Sequence, residues 1–221
     1  MNLKSEKFSN VLEIVIVVFL GIASVFSAFA AYQSSLNSSA MSKYYNEGIA
    51  TITDANSSYV EAGQVISNDM TLYQNLLSLS LEIDYAETPE EAEKAQEKFD
   101  NYSAKFLSQD LLDAITWAES KEGETDFYTS PFESEDYMNS VYAEANETYE
   151  SGRQMLEEGH VYNTNGDKMG LIVIYFATVM FLLGICNALK RNELKIALAA
   201  FAAVIFVIAT VQMFGIPFLK P

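Results

Sequence analysis

VLEIVIVVFLGIASVFSAFAAY, residues 11–32, is the stretch whose reading decides the fold. It carries one charged residue, Glu13, among apolar and small side chains. Its length matches the roughly 20 residues a helix needs to cross a hydrocarbon core of about 30 Å. The pattern does not stop at Tyr32. Stepping by threes and fours from Glu13 gives Leu20, Ser24, Ser27, Ala31, Ser34 or Ser35, and Ser38, positions on one face of a continuous helix. Small residues recur at four-residue spacing in Ala23, Ser27 and Ala31 and again in Ser24 and Ala28. In lipid such spacing lets helix backbones approach closely. This helix therefore reads as the spine against which other membrane helices, or further copies of the chain, pack.

Two more apolar runs have spanning length, Met169–Leu189 and Ile196–Gly215. Between the first run and the second the chain is polar. Residues 33–167 hold 27 acidic and 6 basic side chains, a net charge of −21, within a chain whose total is −17. The first run could also be read as a cleavable signal peptide, because Lys4 and Lys7 precede it and Ala28-Phe29-Ala30 resembles a cleavage site. Its length and Glu13 favour retention as a span.

Loop charge sets the expected topology. Lys4 and Lys7 precede the first span, and Lys190, Arg191 and Lys195 surround the link between the second and third. Basic flanks stay on the cytoplasmic side. The expected layout is a cytoplasmic tail 1–10, spans 11–32, 168–189 and 196–216, an acidic extracytoplasmic domain 33–167, a cytoplasmic link 190–195 and an external tail 217–221 in the cell membrane.

The polar region reads as helical throughout. Ser34–Glu82 shows apolar residues at spacings of three, four and seven, including Tyr44, Tyr45, Ile49, Ile52, Tyr59, Leu76 and Leu77. The first span is expected to continue outward without a loop, with a break near Asn56-Ser57-Ser58 or Asn68-Asp69. Thr88-Pro89-Glu90-Glu91 is a capping box with proline at the first helical position. Ser108 offers a second helix start. Glu119–Phe132 is a loop punctuated by Gly123 and Pro131, and Ser134-Glu135-Asp136 opens another helix. That helix is expected to weaken at Asn163–Asp167. No alternating pattern occurs, so the fold class is all-α: three transmembrane helices with a helical domain inserted between spans 1 and 2. No internal repeat is evident.

Three stretches carry a resemblance. They are Leu20-Gly21-Ile22-Ala23 through Ala31-Tyr32-Gln33-Ser34-Ser35; Ser130-Pro131-Phe132 with Glu135-Asp136-Tyr137; and Gly166-Asp167-Lys168 with Ile174-Tyr175-Phe176-Ala177 and Phe181-Leu182-Leu183-Gly184-Ile185. In these stretches and in the order of elements the chain resembles a family of uncharacterised prokaryotic three-span membrane proteins, grouped only as a domain of unknown function. Members of that family look richer in Trp just after the first span, where this chain has Phe29, Ala30 and Leu36. The resemblance implies an architecture and neither an activity nor a site.

Glu13 is the first candidate for chemistry, since an intramembrane carboxylate is a functional hypothesis by default. With Ser24, Ser27, Ala31, Ser34 and Ser38 it forms a candidate oligomer interface or pore stripe, and a ring of such carboxylates would favour cations. The plainer reading is that Glu13 snorkels to the interface and pairs with Lys4, Lys7 or Arg191. Acids cluster at Glu122, Glu124 and Asp126 and at Glu133, Glu135 and Asp136, while Asn163, Asn165 and Asp167 are metal candidates by their oxygen ligands. None completes a calcium loop, and a solvated acidic face explains them. The single histidine, His160, and the single cysteine, Cys186, leave little for zinc, thiol or Ser/His chemistry, and no cofactor is called for. Glycosylation sequons stand at Asn37, Asn56, Asn101 and Asn146.

These features point to a non-enzymatic integral membrane protein presenting an acidic helical ectodomain, a self-associating scaffold or assembly component. The alternatives are an oligomeric cation channel lined by the stripe, and a membrane-anchored sensor or adaptor. The expected partners are the lipid bilayer, further copies of the chain and cations at the acidic domain; nucleic acid is repelled.

Overall fold

A computed structural model describes residues 3–121 and 128–220, with side chains from Ser9 onward. Among the described residues there are five α-helices and no strand: α1 Leu3–Asp84, α2 Pro89–Phe106, α3 Gln109–Ser120, α4 Glu135–Ala188 and α5 Asn192–Phe214, with a 3-10 turn at Pro131–Glu133. Helices α1, α4 and α5 are long and apolar enough to cross a membrane. The 23 residues of α5 rise about 35 Å, enough for one crossing.

Helix α1 is unbroken over 82 residues. The breaks expected near Asn56 and Asn68 are absent. The hydroxyls that would compete with the helix turn back onto it instead: Thr53 donates to the Ile49 carbonyl at 2.8 Å, Ser57 to Thr53 at 3.3 Å and Thr71 to Ser67 at 3.1 Å. Packing then decides the matter, because Ala55 and Asp69 are buried. The expected weakening of α4 at Asn163–Asp167 is also absent; Gly166 is buried in the middle of that segment.

The short elements start where expected. Thr88 accepts from the Glu91 amide at 3.3 Å, and Glu91 reaches back to the Glu87 amide at 3.2 Å. The reciprocal bond thus closes one residue before the cap. Ser108 accepts from the Leu111 amide at 3.2 Å and Ser134 from the Tyr137 amide at 3.4 Å. Ser130 caps the 3-10 turn by accepting from the Phe132 amide at 3.3 Å. Of the loop expected over Glu119–Phe132, residues 122–127, and with them Glu122, Glu124 and Asp126, lie outside the described residues.

The chain divides into two compact units, Met1–Glu47 with Gln154–Pro221, and Gly48–Arg153. The first contains all three apolar segments. Its buried positions repeat every seven residues: Ile16, Ala23, Ala30 and Asn37 on α1; Met169, Phe176 and Leu183, interleaved with Ile172, Val179 and Cys186, on α4; Lys195, Ala202 and Ala209 on α5. A seven-residue repeat of this kind is the seam of helices packed at shallow angles. Its centre is aromatic, with one ring from each helix: Phe26, Phe176 and Phe206 lie 5.3–5.8 Å apart.

In the second unit α1 buries Gly48, Ala55, Ala62, Asp69 and Leu76, again at intervals of seven. The core of this unit joins Leu111 and Ala114 of α3 to Tyr137 of α4, with Ile66, Leu107, Phe132 and Val141 packed around them.

Three buried glycines on α4, Gly152, Gly159 and Gly166, keep the same seven-residue interval. A Cβ at Gly152 would lie 2.7 Å from the Ile52 side chain and 3.0 Å from the Gly48 carbonyl. At Gly159 it would lie 2.6 Å from the Tyr45 ring. At Gly152 and Gly159 side chains larger than hydrogen are therefore excluded by neighbours on α1, whereas a Cβ at Gly166 would make only an ordinary contact, 3.4 Å from Asn37.

Candidate functional site

At one end of the apolar unit α1 meets the first turn of α5. Lys195 donates from Nζ to Glu13 Oε1 at 2.6 Å. The lysine side chain is 4% exposed and the glutamate 50%. The partner expected for Glu13 was Lys4, Lys7 or Arg191. The first two side chains lie outside the described residues, and Arg191 pairs with Glu193 at 3.0 Å. Lys195 takes the role because α5 begins at Asn192, which carries Lys195 inside the helix rather than in the link. Nearby, Ser9 donates to Asn192 Oδ1 at 3.3 Å and the Cys186 thiol to the Lys195 carbonyl at 3.6 Å. An open groove of about 580 Å³ borders Glu13, lined also by Asn10, Ile14, Val17, Val18 and Asn187.

The stripe expected on one face of α1 separates into two. Ser34 is half-buried and donates to the Gly166 carbonyl at 3.0 Å, joining α1 to α4. Ser27 is also half-buried. Ser24, Ala31 and Ser38 stay exposed. Ser24 satisfies its hydroxyl on the Gly21 carbonyl at 2.7 Å and Ser38 on that of Ser34 at 3.0 Å. Gly21, Ala28, Ser35 and Ser42 are exposed as well. The outward face of α1 is thus Gly21, Ser24, Ala28, Ala31, Ser35, Ser38 and Ser42, a run of small residues at intervals of three and four.

A second polar contact holds the C-terminal tail. Gln33 is buried, donates from Nε2 to the Leu219 carbonyl at 3.1 Å and accepts the Leu219 amide at Oε1 at 2.9 Å. One side chain thereby serves both backbone groups of Leu219. Phe218 stacks edgewise on Phe29 at 5.1 Å and on Phe214 at 5.6 Å. One turn along, Asn37 is fully buried and donates to the Gln33 carbonyl at 2.8 Å, which leaves its Oδ1 without a partner. Burial closes the Asn37 sequon to a glycosyltransferase, whereas Asn56, Asn101 and Asn146 are exposed.

In the second unit Tyr137 donates to Asp69 Oδ2 at 2.8 Å, both side chains being buried. Burial first, and then the Asp69 hydrogen bond and charge, push the Tyr137 hydroxyl far above its ordinary range. Asp110 accepts from Ser140, and with Asp113, Asp136 and Trp117 lines a small cavity of about 120 Å³. In the first unit Tyr44 stacks on Tyr162 at 5.2 Å, and the charges of Tyr162 and then Glu158 raise its hydroxyl.

The metal candidates Asn163, Asn165 and Asp167 lie within α4. Four residues apart, Asn163 and Asp167 share a face, while Asn165 lies about 200° around the helix from Asn163. The three oxygens therefore do not converge. Among the described residues no group of three His, Cys, Asp or Glu side chains is arranged to hold a metal.

Protein-family models, curated proteins and solved structures yield no match to this chain.

Lys195 is expected in the link by its charge, yet its seven-residue interval to Ala202 and Ala209 marks it as part of the buried seam. The bond between Gln33 and Leu219, 186 positions apart, has no signal in the local sequence pattern.

Proposed function

We propose that the chain is a multi-pass membrane protein that presents an acidic helical domain outside the cytoplasm and self-associates through the outward face of α1. It acts as a scaffold rather than an enzyme. One observation carries this reading. The row Gly21, Ser24, Ala28, Ala31, Ser35 is exposed on a helix whose other face is already packed. A helix in lipid gains little from exposing small residues and much from a second helix seated on them. A second copy is the natural occupant, because its own α1 offers the same row and a two-fold pairing is self-complementary.

The placement of residues 33–167 outside rests on the basic flanks of the spans. The charge of that region would gather cations from solution. A pore is the weaker reading, since the bond from Lys195 neutralises the Glu13 carboxylate that would form an acidic ring.

The test is the mass of the full chain in mild detergent, combined with crosslinking of Ser24→Cys and Ser35→Cys. Cys186 is buried and stays silent. The expected result is a dimer or larger closed assembly, crosslinked at both positions, that Gly21→Leu with Ala28→Leu dissociates. A monomer at all concentrations would sink the self-association.

A further inference from the structure

At the end of the apolar unit where the polar region begins, a groove of about 330 Å³ is lined by Lys168, Leu171 and Ile172 of α4 and by Gln212, Gly215 and Ile216 at the end of α5. We propose that this groove seats an anionic phospholipid, its phosphate on Lys168 and Gln212 and an acyl chain along Leu171, Ile172 and Ile216. The inference rests on the chain being a membrane protein and is independent of self-association.

Depth supports a lipid. Lys168 opens the second apolar segment and Gly215 closes the third, so two segment ends converge on one groove. That is the level of headgroups, where a chain must offer charge above and hydrocarbon below. Charge supports an anion. Among the described residues Lys168 pairs with no carboxylate, unlike Lys94, Lys98 and Lys195. It is one of the few cations bordering a region of net charge −21. Its ammonium can meet a phosphate at contact distance, where the attraction between opposite charges is greatest. The lining also distinguishes the two ends of the unit. The groove beside Glu13 carries a carboxylate among its polar groups, and a carboxylate repels a phosphate. Here the polar side consists of an ammonium and an amide, both donors to phosphate oxygens. A soluble phosphate would use only this polar side and leave the exposed Leu171 uncovered.

The experiment presents the full chain in mild detergent with equal amounts of phosphatidylglycerol and phosphatidylcholine of matched acyl chains. Retained lipids are counted by native mass spectrometry. The wild type is expected to prefer phosphatidylglycerol by about fivefold, the contribution of one lysine near an anionic surface. Lys168→Glu should abolish the preference, Lys168→Arg should keep it, and Asp167→Asn should raise it by removing a neighbouring anion. Lys94→Glu, far from the groove in sequence and on another unit, should leave it unchanged. A preference that survives Lys168→Glu overturns the proposal. So does displacement of the lipid by glycerol phosphate at equal concentration, which would mark a soluble-phosphate site. Flotation of the chain with liposomes is read in parallel: failure to float defeats the membrane reading itself, whereas flotation without lipid preference defeats only this site.

Discussion

Lys195 and Glu13, 182 positions apart in sequence, are joined Nζ to Oε1 at 2.6 Å, and it is the lysine that is enclosed. The asymmetry fixes what each residue contributes. Glu13 can still reach water when its partner is removed; Lys195 cannot. Glu13→Gln should therefore destabilise the chain by about 2 kcal/mol, because it leaves an enclosed ammonium without its counter-charge. Lys195→Met should cost less, and the double variant Glu13→Gln with Lys195→Met should recover most of the loss. Thermal unfolding in detergent gives all three values, and strictly additive effects would show that the pair contributes no coupling.

The glycines make a prediction that can be ranked from geometry. Gly152→Ala should cost about 1–3 kcal/mol, since the added carbon meets the Gly48 carbonyl at 3.0 Å and the Ile52 amide nitrogen at 3.1 Å, and backbone does not yield. Gly159→Ala should also destabilise, through the Tyr45 ring. Gly166→Ala meets its nearest atom at 3.4 Å and should be tolerated. Gly63 has nothing within 4 Å, so Gly63→Ala should stabilise by about 0.5–1 kcal/mol from helix propensity alone. Melting of the four variants checks the order; a destabilising Gly63→Ala would mean that another chain covers that position.

This ranking also shows where the sequence was legible. Composition and segment length located three apolar helices long enough to cross a membrane, because an unbroken apolar run of that length is visible without any tertiary contact. Thr88, Ser108 and Ser134 marked helix starts because a cap acts within four residues. Asn56, Asn68 and Asn163–Asp167 misled, since the propensity that argues for a break is worth less than the packing of Ala55, Asp69 and Gly166 around them. The small residues of α1 were visible as a group. Their division into Ser34 bonded to Gly166 and Ser24 left outward was not, because a stripe seen in one helix does not say which flank a neighbour takes.

Tyr137 sets an alkaline limit. A free tyrosine ionises near pH 10, and in the folded chain burial and Asp69 hold Tyr137 protonated well above that. As pH rises past about 10 the unfolded chain releases this proton and the folded chain keeps it. The folded state then binds more protons, so stability that is full below pH 10 declines above it. Tyr137→Phe should lower stability at neutral pH by about 1–3 kcal/mol by leaving buried Asp69 without its donor. It should also flatten the alkaline decline. Melting temperatures of the two proteins between neutral pH and about pH 11 decide the matter; parallel curves would assign the decline to other tyrosines.

Gln33 predicts the behaviour of the tail. Its amide replaces, for Leu219, the two bonds that a neighbouring strand would supply. Gln33→Leu keeps the volume and removes both bonds, at about 1–2 kcal/mol in total. Leu219 is half-buried and its freed backbone groups can turn to water, so the loss should appear as local release rather than global unfolding. Hydrogen exchange at the Leu219 amide should quicken by about tenfold, the factor corresponding to roughly 1.4 kcal/mol, while amides in the middle of α5 keep their protection. If Leu219 stayed equally protected, the stacking of Phe218 on Phe29 and Phe214 would be what holds the tail, and Phe218→Ala would then release it where Gln33→Leu had not.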